Sequence, residues 1–150
     1  MFASGMLRSP GTPTEGLLVC QGERDARAPR TTVKYLAADQ QCVGEAREDL
    51  AEPSRVFLGG QLGTYVAANQ PYWVGVQEAQ RMAVVADPLS QLVTAADLPK
   101  ADSIHFSVAG YRTMGQRFAQ GARKLVFGNA VDPPGDLVTV ARGWGHTSGA

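Results

Sequence analysis

The sequence predicts an α/β domain built on a small parallel sheet. Two observations carry that reading. Three short apolar runs, Gly16–Cys20 (GLLVC), Arg55–Gly60 (RVFLGG) and Gln91–Thr94 (QLVT), have no polar alternation and suit strands buried on both faces. Between and after them lie segments whose apolar residues recur every three or four positions, the mark of amphipathic helices. Regular alternation of strand and helix is the pattern of a parallel sheet with crossover helices.

Residues 1–15 are rich in Gly, Pro, Ser and Thr and read as an irregular lead-in. The first strand leaves through the polar stretch QGERDARAPR. A helix is expected from Thr31 to Leu50, with Val33, Leu36, Cys42 or Val43, Ala46 and Leu50 on its inner face and Thr31 or Thr32 as cap. Gly44 weakens it by about 1 kcal/mol relative to Ala, and Pro53 closes it. Pro71 suits the first turn of a second helix that runs to about Ala86. A last helix starts near Ser107 or Val108, with Val108, Tyr111, Met114, Gly115, Phe118, Ala122 and Leu125 along one face. The stretch 128–150 is Gly- and Pro-rich and is expected to be mostly irregular, with a short extended piece at Leu137–Ala141.

The totals narrow the function. A chain of 150 residues suits one domain. Fourteen Lys and Arg balance fourteen Asp and Glu, so no net field favours nucleic acid or an anionic membrane. No apolar run approaches the roughly 20 residues of a membrane span. The stretch MFASGMLRSPGTPTEG lacks the apolar centre of a signal peptide, which leaves the compartment open. Cys20 and Cys42 make no disulfide framework and no CxxC, and both are expected to be buried thiols. With only His105 and His146 available, a closed zinc site is not expected, nor is any other cofactor. His146 has no acid at a useful spacing and reads as a solvated residue.

Two polar clusters remain. The first is Asp102-Ser-Ile-His105, just ahead of the last helix. A hydrolase histidine needs a carboxylate on one ring nitrogen so that the other can take a proton from a hydroxyl. An acid three residues ahead can turn back to supply it. The same spacing also suits a turn cap beside a loop histidine. The second cluster is Gln21-Gly-Glu-Arg-Asp25. In open α/β sheets ligands bind at the carboxyl ends of the strands, and both clusters follow strands, so both should lie on that edge. A Gln21 amide there could donate to a developing oxyanion, although an ordinary solvated turn has the same composition.

The order of these blocks resembles the sialate O-acetylesterase/acetylxylan esterase-like proteins, carbohydrate esterase family 6 of the SGNH hydrolase superfamily. GLLVCQGERDA is similar to the family's G-x-L-x-x-Q-G-E-S-D-A, with Arg24 where a small Ser is usual. FLGGQLG and VQEAQRMAV resemble a strand ending in Gln-Leu and a V-R-E-A-Q helix, with Gln77 in place of Arg. TAADLPKADSIHFSVAGYRTMGQRFA resembles the closing D-L, D-x-x-H-F, G-x-R-x-x-G-x-R-x-A block. The resemblance implies His105 as general base, Asp102 as its orienting carboxylate, Gln21 in the oxyanion hole, and Gly22 and Glu23 supporting that loop. It implies an acetylated carbohydrate as substrate.

The family's nucleophilic serine belongs to a G-Q-S-N-M-like block well ahead of QGE. Ser4 sits too close to Gln21 to follow a strand and a crossover helix, which need about a dozen residues. The expectation is therefore the C-terminal half of an SGNH esterase over residues 16–127. Its fold would be a partial flavodoxin-like, three-layer one with about three parallel strands, its N-terminal strands missing, and it would be inactive alone. GLLVC would then form an exposed apolar edge prone to self-association. The alternative is a non-catalytic carbohydrate-binding or interaction module, with Tyr72, Trp73, Tyr111 and Trp144 as candidate stacking faces.

Overall fold

The computed structural model describes residues 3–8, 14–65 and 70–128. In chain order the elements are β1 (Ala3–Arg8), β2 (Thr14–Cys20), α1 (Pro29–Asp49), β3 (Val56–Gly60), α2 (Gln70–Val85), β4 (Ser90–Val93) and α3 (Val108–Phe127). They form one sheet in the order β1-β2-β3-β4. Strands β2, β3 and β4 are parallel, in the register Leu18↔Leu58↔Gln91. The expected α/β architecture with three parallel strands is what forms.

The helices cover both faces. Moving along the sheet in one direction, right-handed crossovers place α1 and α2 on the same side. Tyr35 of α1 joins Trp73, Val76 and Ala79 of α2 in one apolar cluster with Ala26 and Leu62. Helix α3 lies against the other face, where Met114, Ala122 and Phe118 meet Val56, Leu58, Val93, Leu18 and Cys20. Alternation along β3 divides its side chains between the two layers.

The lead-in expected over residues 1–15 contains a strand instead. Ala3–Arg8 runs antiparallel to β2, from Ala3↔Cys20 to Arg8↔Thr14, with an irregularity between Leu7 and Arg8. β2 is therefore paired on both sides, and the exposed edge expected at GLLVC is closed. The reason is physical: β2 offers a full row of backbone donors and acceptors, and a nearby segment of modest strand propensity satisfies them.

Helix faces differ in detail. In α1, Tyr35 and Val43 point inward, whereas Val33 and the C-cap Leu50 are exposed and Cys42 lies on the surface rather than in the core. Cys20 is partly buried, within 3.8 Å of the Met114 sulfur, and burial pushes its thiol up to about 11, helped by Glu23. The Thr31 and Thr32 hydroxyls do not cap α1. They donate to the carbonyls of Asp25 and Ala28, while Ala28 occupies the cap with Pro29 next to it. In α3 Ser107 is the cap, its Oγ accepting from the Gly110 N–H at 3.2 Å. Val108, Tyr111 and Gly115 face outward, and Gly110 and Gly121 take the inner positions. The extended piece expected at Leu137–Ala141 lies outside the described residues.

Candidate active site

The loop that follows β4 is anchored at both ends before it reaches His105. Arg117 of α3 grips Asp97 with two hydrogen bonds of 2.6 Å and donates a third, at 2.8 Å, to the Thr94 carbonyl. Beyond it the chain folds back on itself. Lys100 and Phe106 form an antiparallel bridge, the Ala101 N–H donates to the His105 carbonyl at 2.9 Å, and the Ser107 N–H and Oγ donate to the Pro99 carbonyl at 2.9 and 3.1 Å. Gly110 lies so close to the Pro99 carbonyl that a Cβ there would collide with backbone. The Lys100 ammonium donates to the carbonyls of Thr64 and Ser103, tying this loop to the one after β3.

Asp102 and His105 sit in that closed loop. One carboxylate oxygen of Asp102 accepts the backbone N–H groups of Ile104 and His105, each at 2.7 Å; the other meets His105 Nδ1, also at 2.7 Å. The turn cap and the orienting carboxylate, alternatives in the sequence, are one residue doing both jobs. An ionised carboxylate only accepts, so Nδ1 carries the proton and the lone pair of a neutral ring falls on Nε2. Nε2 has no partner among the described residues. The His105 imidazole, then the two backbone N–H groups, hold the Asp102 carboxyl far below the usual carboxylate range. Both side chains are open to solvent, His105 at 68% and Asp102 at 54%. A ring held this way can take a proton at Nε2 and be steadied as imidazolium by Asp102.

The QGERD turn leaves β2 on the same edge. Gly22 has φ of 136°, and a Cβ there would stand 3.0 Å from Val76 and 3.3 Å from Tyr35, so only glycine fits. The Gln21 carbonyl accepts from the Tyr35 hydroxyl at 3.1 Å and from the Gln80 amide at 3.0 Å. Bracing of this turn thus falls to Tyr35 and Gln80. The Gln21 amide and the Glu23 carboxylate make no hydrogen bond with another described residue. Arg24, at the position where a small residue was expected, points to solvent and does not crowd the turn.

Two observations relate the turns to each other. Ile104, inside the Asp102–His105 turn, packs against the cluster that contains Ala26 and Tyr35. The Tyr111 phenol, at the start of α3, is pushed up by burial and then by Cys20, Glu23 and Asp102, groups from both loops.

Three residues of α2 complete the arrangement: Gln80, which the sequence did not single out, and Trp73 and Gln77, which it singled out for other reasons. Trp73, Gln77 and Gln80 fall at i, i+4 and i+7 on the buried face of α2 and address backbone at the strand ends. Trp73 Nε1 donates to the Gly63 carbonyl at 2.7 Å, and the Gln77 amide to those of Leu62 and Gly63 at 2.8 and 3.1 Å. The Gln80 amide donates to Gln21, Gly60 and Tyr35, while its oxygen accepts the Leu62 N–H at 3.0 Å. The signal was available: two glutamines on an otherwise apolar helical stripe must have buried partners. Trp73, only 2% exposed and stacked on Tyr65, is core and offers no sugar-stacking face. Trp144 and His146 lie outside the described residues.

Other features stand apart. A groove of about 280 Å³ opens at the opposite edge of the sheet, beside Asp39, Val43, Arg47, Phe57, Asp87 and Ser90. Among the described residues no group of three or more His, Cys, Asp or Glu side chains could hold a metal ion. Nor is any of their helices long and apolar enough to cross a membrane.

A family model described as carbohydrate esterase, sialic acid-specific acetylesterase matches residues 4–124. No curated protein matches the chain. Among solved structures, a carbohydrate acetylesterase from Xanthomonas citri is similar with a TM-score of 0.71 and 24% identity. That similarity covers 79% of this chain and 27% of the other, so the chain spans about a quarter of that structure.

Proposed function

This chain belongs to the sialic acid-specific acetylesterase family of carbohydrate esterases, and from that membership we propose that it carries the acid–base half of a carbohydrate O-acetyl ester hydrolase. The observation that carries the reading is the 2.7 Å contact between Asp102 and His105 Nδ1, which leaves Nε2 as the free base. Residues 16–127 act as the C-terminal half of the esterase domain. In this reading the nucleophilic hydroxyl comes from a segment outside it, since the family's G-Q-S-N-M-like block lies well ahead of QGE.

The chemistry then runs in two acyl transfers. The hydroxyl oxygen attacks the acetyl carbonyl as His105 Nε2 takes its proton, and the negative charge that builds on the carbonyl oxygen is met by the Gln21 amide. The tetrahedral adduct collapses, the C–O bond to the sugar breaks, and the imidazolium returns the proton to the departing sugar oxygen. Water then attacks the acetyl ester with His105 again as base. Acetate leaves, and the hydroxyl regains its proton. Asp102 holds the Nδ1–H form throughout. Gly22 lets the QGE turn come close, and Glu23 stands beside it as an acceptor. No cofactor takes part.

The test follows residues 1–150 by NMR during addition of an acetylated xylo-oligosaccharide, with acetate release measured in parallel. Shifts concentrated at His105, Gln21 and Glu23, with no release above that of His105→Ala, are the expected result. Shifts confined elsewhere, or none, would remove the esterase reading. Release that depends on His105 would show that the nucleophile need not come from outside.

A further inference from the structure

We propose that Tyr111 is the sugar-facing residue of the His105 site, its ring and free hydroxyl seating the pyranose that carries the ester, with Glu23 of the turn after β2 as a hydroxyl acceptor. The inference rests on the esterase reading above and adds to it what holds the sugar.

Tyr111 occupies the first turn of α3, six positions beyond His105. Its ring meets Phe106 edge to face, with centroids 5.7 Å apart and planes at 80°. Phe106 is itself buried, bridged to Lys100 and packed into the α3 core cluster. One part of the tyrosine is thus fixed on a rigid support, while half of the residue, 50%, stays in solvent. Val108, one turn earlier on the same helix, is 78% exposed and extends the apolar surface. Trp73, Gln77 and Gln80, by contrast, are buried and engaged with backbone. The Tyr111 hydroxyl, like the Gln21 amide and the Glu23 carboxylate, has no hydrogen-bond partner among the described residues.

The chemistry fits a pyranose. Such a ring has a C–H face that packs on an aromatic surface and a rim of hydroxyls that need donors and acceptors. A tyrosine supplies the first and one donor; a carboxylate supplies a strong acceptor. Burial first, then Cys20, Glu23 and Asp102, push the phenol above its ordinary value of 10.0, so the hydroxyl is a donor at neutral pH. An aromatic anchor that is already held in place loses little freedom on binding.

The probes are an acetylated xylo-oligosaccharide and its deacetylated counterpart, titrated into residues 1–150 and followed by NMR. Tyr111 and Glu23 resonances should move together with His105. Tyr111→Ala should weaken binding about fivefold or more, Tyr111→Phe about twofold, and Tyr111→Trp should retain most of it. Because Tyr111 is half exposed, these variants should melt near the parent temperature; agreement between Ala and Leu replacements guards against a folding effect. If the acetylated sugar moves His105 and Gln21 while Tyr111→Ala leaves the affinity within twofold, the Tyr111 assignment fails and the esterase reading stands. If Tyr111 governs affinity while His105 is undisturbed and both sugars bind alike, Tyr111 is a sugar contact and the esterase reading fails. If neither sugar moves either residue, both are overturned.

Discussion

The side-chain amide of Gln80 donates at 3.0 Å to the backbone carbonyl of Gln21, 59 positions away in the chain. One buried side chain thereby ties the end of β2 to α2. Through Gly60 and Leu62 it also holds the end of β3. Gln61 continues the link, its N–H donating to the Val93 carbonyl at 2.9 Å. The carboxyl ends of all three parallel strands are therefore coupled beneath the candidate site.

Gln80→Leu should remove these bonds and strand the Leu62 N–H without a partner. Leaving a buried donor unmet costs about 1–3 kcal/mol. A fall of about 2–3 kcal/mol in urea unfolding is the expected result. A change below about 0.5 kcal/mol would mean that the amide does not bridge the strands.

Asp102→Asn should alter the tautomer of His105. The carboxylate accepts only, and so enforces the Nδ1–H form; an asparagine can present either its oxygen or its NH2 group. Long-range 15N–1H NMR of the imidazole should show Nδ1–H in the parent and a mixed or Nε2–H ring in the variant. The pH sign follows from the depressed Asp102 carboxyl. Its support for the turn is present above the ordinary aspartate value of about 4 and is lost only as pH falls through the lower folded value. The His105 N–H should therefore stay protected from exchange down to strongly acidic pH. Loss of that protection near pH 5 would contradict the hydrogen bonds described.

Asp39 carries the opposite sign. Burial in α1 raises its carboxyl from 3.8 to about 6. The neutral form suits the folded chain, so its contribution is complete below the unfolded value and is lost as pH rises through about 6. Asp39→Asn should stabilise the protein at pH 8 by about 1–2 kcal/mol, after allowance for solvent screening at a partly exposed site. At pH 4 it should change little. Equal effects at both pH values would rule out this linkage.

Two glycines on α3 should respond in opposite directions. Gly110→Ala would drive a Cβ into the Pro99 carbonyl, which cannot move without opening the His105 loop. A loss of about 1–3 kcal/mol is expected, together with faster exchange of the Ala101 N–H. Gly115 has no heavy atom within 4 Å of where its Cβ would stand. Gly115→Ala should stabilise the helix by up to about 1 kcal/mol. Paired thermal melts of the two variants provide the check, and equal shifts would contradict the packing of α3.

The legible parts of this molecule are those whose cause is local. The Asp102–His105 bond spans three residues, a spacing that allows a carboxylate to reach a ring nitrogen and equally allows a turn cap. The short apolar runs at Val56–Gly60 and Leu92–Val93 show their burial in their composition, whereas Leu17–Cys20, read the same way, is only partly buried. The helices emerge from periodicity, and Pro71 and Ser107 mark two of their starts; the first helix, expected from Thr31, begins at Pro29 instead. What escaped was non-local. Val33 and Leu50 are as apolar as Tyr35 and Val43, and only the docking of α2 decides which stripe of α1 is covered. Gly110 and Gly121 face inward on α3 because the helix approaches Pro99 and Leu58 too closely for larger residues.

By itself the sequence determined the strand–helix alternation, the polar turns at the strand ends and the nearness of Asp102 to His105, because these depend on neighbours within a few residues. Tertiary structure alone decided that Ala3–Arg8 closes the free side of β2 and that Gln80 and Tyr35 meet at the Gln21 carbonyl. It also decided that Tyr111 stands half exposed within the field of both loops. Those relationships arise when buried backbone groups far apart in the chain must find partners, and no local pattern specifies which ones they will be.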